Sequence, residues 1–328
     1  MRRINKFLVL LVVTVTGLFF LTVFALNTVF AEKVGQEKEG CGKCHSDVVK
    51  NFNKSLHHTN LGMKDSFNEG TGKAFGIDMP AGCMKCHIGE RKATSCTTCH
   101  ENYATYPKGH GKKVSMDKCV HCHYKRSGAN YTGYLAGLKK KGPHPDIHYE
   151  KGLECMDCHT VSEIHGDGEV YHSQFIAVKV KCEDCHMNPK KVVKGMWVTQ
   201  YVPDEIAHEL HRKKLDCTAC HLGWYQSCKN CHFDTKKAES GKPTKDVLLA
   251  KGRKGKIKPF YCQTVLLDDK THTSCGEYMP HTITDKPKNC ISCHRDKEVF
   301  LDKEYEGKIL TPAGEFLTKE EKEKMPQF

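Results

Sequence analysis

Apolar residues are spread unevenly along the 328-residue chain. An uncharged run from Phe7 to Phe30 follows Arg2, Arg3 and Lys6 and closes on Val29-Phe30-Ala31 ahead of Glu32. A basic flank, an apolar stretch and a small residue at its end predict an export signal over residues 1–31. The run is also long enough to cross a bilayer, so an uncleaved membrane anchor is the alternative. Both readings put residues from 32 onward in the periplasm or outside the cell, with the basic flank in the cytoplasm. Further along, Tyr261 to Leu267 and Thr271 to Met279 flank Asp268-Asp269 and predict a β-hairpin. Lys236 to Lys258, basic and interrupted by glycines, reads as a solvated loop, and the charged stretch Leu317 to Met325 as a short exposed helix.

Cysteine spacing changes this picture more than any periodicity. The chain has 20 cysteines. Eighteen of them fall in nine copies of Cys-x-x-Cys-His: Cys41/Cys44/His45, Cys83/Cys86/His87, Cys96/Cys99/His100, Cys119/Cys122/His123, Cys155/Cys158/His159, Cys182/Cys185/His186, Cys217/Cys220/His221, Cys228/Cys231/His232 and Cys290/Cys293/His294. Two thiols at this spacing can each form a thioether to one vinyl group of a porphyrin, and the adjacent imidazole then reaches the iron from the proximal side. Paired cysteines also build zinc knuckles, but a zinc site gains nothing from a histidine directly after the second cysteine, which here follows every time. The motifs therefore predict nine covalently attached haems c. The two remaining cysteines, Cys262 and Cys275, are opposite each other when residues are counted outward from Asp268-Asp269. That position suits a disulfide; two free thiols in a loop are the alternative.

The formal net charge is +12. Without Arg2, Arg3 and Lys6 the chain keeps 48 basic and 39 acidic residues, and two propionates on each haem outweigh that surplus. A nucleic-acid partner is accordingly not expected; the lysines border haem edges or, over 236–258, offer a docking surface to an acidic redox protein or form a flexible linker. Roughly 33 residues per haem are too few for each to sit in an apolar domain of its own. The expected fold class is thus a haem-cored multihaem cytochrome of mainly short α-helices and irregular loops, with a small disulfide-linked β-hairpin. The layout reads as 1–31 signal or anchor, 32–232 an eight-haem region, 233–289 the basic haem-free loop and hairpin, and 290–328 the ninth motif and charged tail. Short gaps between His87 and Cys96 and between His221 and Cys228 bring two pairs of haems nearly into contact.

Twelve histidines lie outside the proximal positions: His57, His58, His110, His121, His144, His148, His165, His172, His208, His211, His272 and His281. They suffice as distal ligands for nine irons, which favours six-coordinate haems built for outer-sphere electron transfer. His57 and His58 are adjacent and His208 and His211 are one helical turn apart, so each couple is expected to offer one ligand.

Several patches resemble the superfamily of multihaem cytochromes that includes pentahaem nitrite reductase, hydroxylamine oxidoreductase and octahaem tetrathionate reductase. They are the first motif followed by Ser55-Leu56-His57, Gly152-Leu153-Glu154-Cys155 through His159 with His165 behind, and Pro280-His281 ahead of Cys290. The resemblance implies distal roles for His57, His165 and His281. The nitrite and tetrathionate reductases replace one motif histidine by lysine; all nine motifs here keep histidine. These features favour an electron carrier over an enzyme: an exported cytochrome in anaerobic respiration or extracellular electron transfer, passing electrons from a membrane-side donor to a terminal reductase or extracellular acceptor. The alternatives are a reductase or oxidase of nitrogen or sulfur oxyanions with one open haem, and a self-associating subunit of a conducting filament.

Overall fold

The computed structural model describes residues 41–78, 96–100, 113–123, 127–135, 140–226, 243–244, 248–252, 254–267, 270–295, 299–300 and 309–310. Seven of the nine motifs fall within them; those at 83–87 and 228–232 lie outside, as do the apolar run at 7–30 and the charged tail at 317–325. Among the described residues no helix is long and apolar enough to cross a membrane.

The described residues between 41 and 221 form a succession of short helices with turns, irregular segments and two pairs of two-residue strands between them. One-turn helices have almost no stability of their own, so each depends on what fixes its ends. Ser55 opens Leu56–Thr59 by accepting from the His58 N–H, Asp146 opens Ile147–Glu150 through the His148 N–H, Thr160 opens Val161–His165 through the Glu163 N–H, and Asp216 opens Cys217–His221 through the Thr218 N–H. Ahead of Cys155–Cys158, the Asp157 carboxylate turns back to accept from the Glu154 N–H at 2.7 Å. Before Leu222, the buried hydrophobic residues among those described are Ala129, Tyr131 and Ala219. The protein itself supplies little core there.

The apolar core lies further along the chain. Four strands, β1 Leu248–Lys251, β2 Ile257–Leu267, β3 Lys270–Glu277 and β4 Ile309–Leu310, form one sheet in the order β4-β3-β2-β1. Leu222, Tyr225, Leu249, Tyr261 and Phe300 pack as one cluster, and Ala250, Phe260 and Cys275 as another. The β2–β3 register pairs Leu267 with Lys270 and Cys262 with Cys275, as counting outward from residues 268–269 requires. The two cysteine Cα atoms are 4.0 Å apart with their sulfurs at bonding distance.

The expected hairpin is present, and its strands β2 and β3 are the inner two of a four-stranded sheet. One expectation needs correction: 236–258 is not solvated throughout, since the apolar run Leu248-Leu249-Ala250 pairs with Phe260-Pro259-Lys258, and burial of Leu249 and Ala250 outweighs the charge around them.

Backbone bonds tie the sheet to the helical region. The Asp216 N–H donates to the Ile257 carbonyl and the Ile257 N–H to the Lys214 carbonyl, both at 2.8 Å. On the other side, Thr284 and Lys288 donate to the carbonyls of His221 and Cys220, both at 2.9 Å. Trp224, fully buried, donates its indole N–H to the His144 carbonyl at 2.8 Å and packs against Gly142, where a Cβ would approach the indole to 2.6 Å.

Candidate metal centres

Most of the described motifs are a single helical turn or the start of one, and Cys119–His123 closes the longer helix Met116–His123. Among the described residues, six motif histidines each face a histidine from outside the motifs. The ring centres of His123 and His57 are 6.2 Å apart, His100 and His165 6.1 Å, His186 and His148 6.1 Å, His159 and His281 6.2 Å, His221 and His208 6.4 Å, and His294 and His211 5.9 Å.

That separation is chemically specific. An imidazole nitrogen bonds a transition-metal ion at about 2 Å with its ring centre about 1 Å behind, so two imidazoles on opposite faces of one ion hold their centres about 6 Å apart. The six pairs fit a haem iron between two imidazoles. Among the described residues no three His, Cys, Asp or Glu side chains converge as a metal cage, so the donors are paired rather than clustered.

Of the other three motifs, the first, Cys41, Cys44 and His45, leads into Ser46–Phe52. Cys44 and His45 are both exposed, because the helix they open buries none of its own residues and holds the motif at the surface. The second and eighth motifs, Cys83, Cys86 and His87 and Cys228, Cys231 and His232, lie outside the described residues. The thioether roles expected of Cys86 and Cys231, the proximal role of His232 and the two close haem couples of which these motifs are part therefore fall outside them too.

Burial favours the neutral imidazole that a metal needs. It lowers His57 to about 4, with His123 adding to the effect, and lowers His281 to about 4, where His159 contributes. His123 and His165 are lowered as well, by burial first and then by His159 and His100 respectively.

Seven of the twelve paired rings have Nδ1 held by another group of the protein. His186, His208, His211, His221 and His281 have Nδ1 against the carbonyls of Thr199, Val202, Ala207, Thr284 and Met279. His148 and His159 use carboxylates instead: Asp146 at 2.8 Å and Glu163 at 3.0 Å. The sequence reading did not single out either acid. The available signals were short-range, Asp146 two residues before His148 and Glu163 one helical turn after a motif histidine.

The motifs also adjoin one another. Cys99 lies within the field of Cys119 and Cys122, Cys119 hydrogen-bonds Cys155, Cys158 feels Cys185, Cys182 hydrogen-bonds Cys217, and Cys220 feels Cys293. Six motifs thus follow one another in space in chain order, 96–100, 119–123, 155–159, 182–186 and 217–221, with 290–294 joining after 217–221.

The remaining candidates fall elsewhere. His58 packs edge-on to Phe52, His121 is exposed on Met116–His123, His144 has Nδ1 against the Pro145 carbonyl, and His172 meets Asp65 at 2.5 Å. His110, and the His272 side chain, lie outside the described residues. His208 and His211 do not share one target; three positions along a helix differ by about 60° in direction, and the rings face His221 and His294 separately.

Residues 147–233, about a quarter of the chain, match the family described as cytochrome c3. The chain is also similar to a dissimilatory sulfite reductase of Wolinella succinogenes, 24% identical over 178 residues, 42% of this chain and 23% of that protein. It is similar too to an acrylate reductase cytochrome subunit of Shewanella woodyi, 30% identical over 92 residues, 28% of this chain and 62% of that one. The matches thus span less than two thirds of either relative. No solved structure matches.

Proposed function

We propose that this chain, a multihaem c-type cytochrome with covalently bound haem, is an exported carrier that moves electrons along a line of nine haems between redox proteins. The observation that carries the reading is one ring separation, 5.9 to 6.4 Å, recurring at six sites. In this reading the cysteines of each motif hold the porphyrin and the motif histidine takes the proximal face. His57, His165, His281, His148, His208 and His211 are the distal ligands opposite His123, His100, His159, His186, His221 and His294. When bound, each haem supplies a one-electron iron(III)/iron(II) couple. Imidazoles on both faces exclude water and substrate, which suits transfer between haem edges rather than bond-making at iron. The cysteine contacts between neighbouring motifs keep those edges close and in series. Export follows from residues 1–31, and in an oxidising compartment Cys262 and Cys275 form a disulfide.

Similarity to a sulfite reductase favours a second reading, in which one iron outside the six pairs is open and reduces an oxyanion. Electron paramagnetic resonance of the oxidised holoprotein, with haems counted by mass, separates the two. Near-parallel imidazole planes split the iron d orbitals of π symmetry, and crossed planes leave them nearly degenerate, so two classes of low-spin signal are expected. His100–His165, His159–His281 and His221–His208 have planes within 34° of parallel, while His123–His57, His186–His148 and His294–His211 are crossed by 57° or more. Low-spin signals of both classes, unchanged by sulfite or nitrite, support the carrier. A high-spin signal that converts on adding either anion puts the reductase first.

A further inference from the structure

Two of the paired histidines have Nδ1 held by a carboxylate, where His186, His208, His211, His221 and His281 have it against a backbone carbonyl. A carbonyl accepts a hydrogen bond as a neutral dipole, whereas Asp146 and Glu163 bring a full negative charge to the imidazole of His148 and of His159. Both carboxylates are deeply placed, with side chains 3% and 5% exposed. Both are also anchored by backbone. Asp146 Oδ1 accepts from the His148 N–H at 2.9 Å and Oδ2 from the Ile283 N–H at 2.7 Å. Glu163 Oε1 accepts from the N–H groups of Lys179 and Val180 and leaves Oε2 for His159. Glu205, near His208, lacks these properties: it is more than half exposed, and the closer partner of that Nδ1 is the Val202 carbonyl.

A fixed carboxylate draws the Nδ1 proton toward itself and makes the opposite ring nitrogen a stronger donor, which stabilises iron(III) over iron(II). The two affected pairs, His159–His281 and His186–His148, belong to motifs whose cysteines Cys158 and Cys185 are neighbours. They are the third and fourth of the six motifs in line, with two on either side.

We propose that Asp146 and Glu163 are positioning residues that make the two central irons of this line the hardest to reduce. An electron passing from a ferrous iron on one side to a ferric iron on the other then crosses an internal rise, and electrons collect toward the ends. The proposal rests on the ligand pairing given under the proposed function.

The test is a redox titration of purified holoprotein, followed by paramagnetic resonance on frozen samples, for wild type, Glu163→Gln and Asp146→Asn. Glutamine cannot satisfy all of Glu163's partners, because one oxygen must become an N–H2 that faces either His159 Nδ1–H or the Lys179 and Val180 N–H groups. Glu163→Gln is expected to raise the midpoint of one near-parallel haem by about tenfold in its reduction equilibrium, 59 mV for one electron, and Asp146→Asn that of one crossed haem by a similar amount. Asp146 also caps a helix; if its variant does not fold, Glu163→Gln alone decides. His281→Ala and His148→Ala test the pairing, and each is expected to turn one low-spin haem high-spin. If they do so while Glu163→Gln leaves every midpoint in place, the inference is overturned and the pairing stands. If both leave all haems low-spin, the pairing falls and the inference with it.

Discussion

Around Cys155, charge is concentrated on a few side chains. Lys113 reaches Glu154 at 3.0 Å and Asp157 at 3.5 Å, and Lys194 reaches the same two acids at 3.7 and 3.2 Å. The hydrogen bond from Lys113 holds the Glu154 carboxyl below its ordinary range. For Asp157 burial pushes upward, but the Glu154 N–H and the two lysines outweigh it and the net shift is downward. A carboxyl depressed in the folded state stabilises it above the unfolded value and loses that contribution as pH falls through the folded one. The melting midpoint of wild type is therefore expected to exceed that of Glu154→Gln at neutral pH, with the difference vanishing in acid and shrinking with added salt. An equal difference at all pH values would rule this network out. At this scale the cysteines and motif histidines were legible because thioether chemistry is local in sequence. Resemblance singled out His57, His165 and His281 among the facing histidines, but the motif that each one meets was not legible. His159 meets His281 across more than a hundred residues, and no spacing rule reaches that far.

The helices that carry these side chains are stable only in context, and their ends are where substitution is expected to tell. Ser55 Oγ donates to the Phe52 carbonyl at 2.8 Å and accepts from the His58 N–H at 3.4 Å. Ser55→Ala is expected to destabilise the holoprotein by about 1 kcal/mol in denaturant titration. Gly166 ends Val161–His165 with φ +85°, and a Cβ there would approach the Asn51 carbonyl oxygen to 2.7 Å. Gly166→Ala combines a disfavoured backbone with a clash against Ser46–Phe52 and is expected to cost about 2–4 kcal/mol. A loss well under 1 kcal/mol would mean that the two helices part without penalty. The β2–β3 register was readable because a two-residue connection leaves one way to count. β1 was hidden because four residues of apolar character inside a basic stretch carry too little periodicity, and its partner strand decides its state.

For the whole molecule, the contrast lies between a helical region with few buried apolar side chains and a sheet that owns a core. Hydrogen exchange on holoprotein is expected to show slowest exchange at β2 and β3. In a Cys155→Ser/Cys158→Ser variant, protection is expected to fall across the motif helices from 119 to 186 while the sheet keeps most of its own. Uniform loss would mean that the sheet depends on the same cofactors. The haem-cored class could be read from the number of motifs per length. The order of motifs in space could not, because the ninth returns beside 217–221 through the hydrogen bond from Lys288 to Cys220. The contacts of Cys119 with Cys155 and of Cys182 with Cys217 also bear on biogenesis. Thiols that close would be bridged by any oxidant reaching the folded polypeptide first, which would lock the porphyrin out of two motifs at once. Haem attachment is therefore expected to precede oxidation, leaving Cys262 and Cys275, the couple outside the motifs, to be joined last.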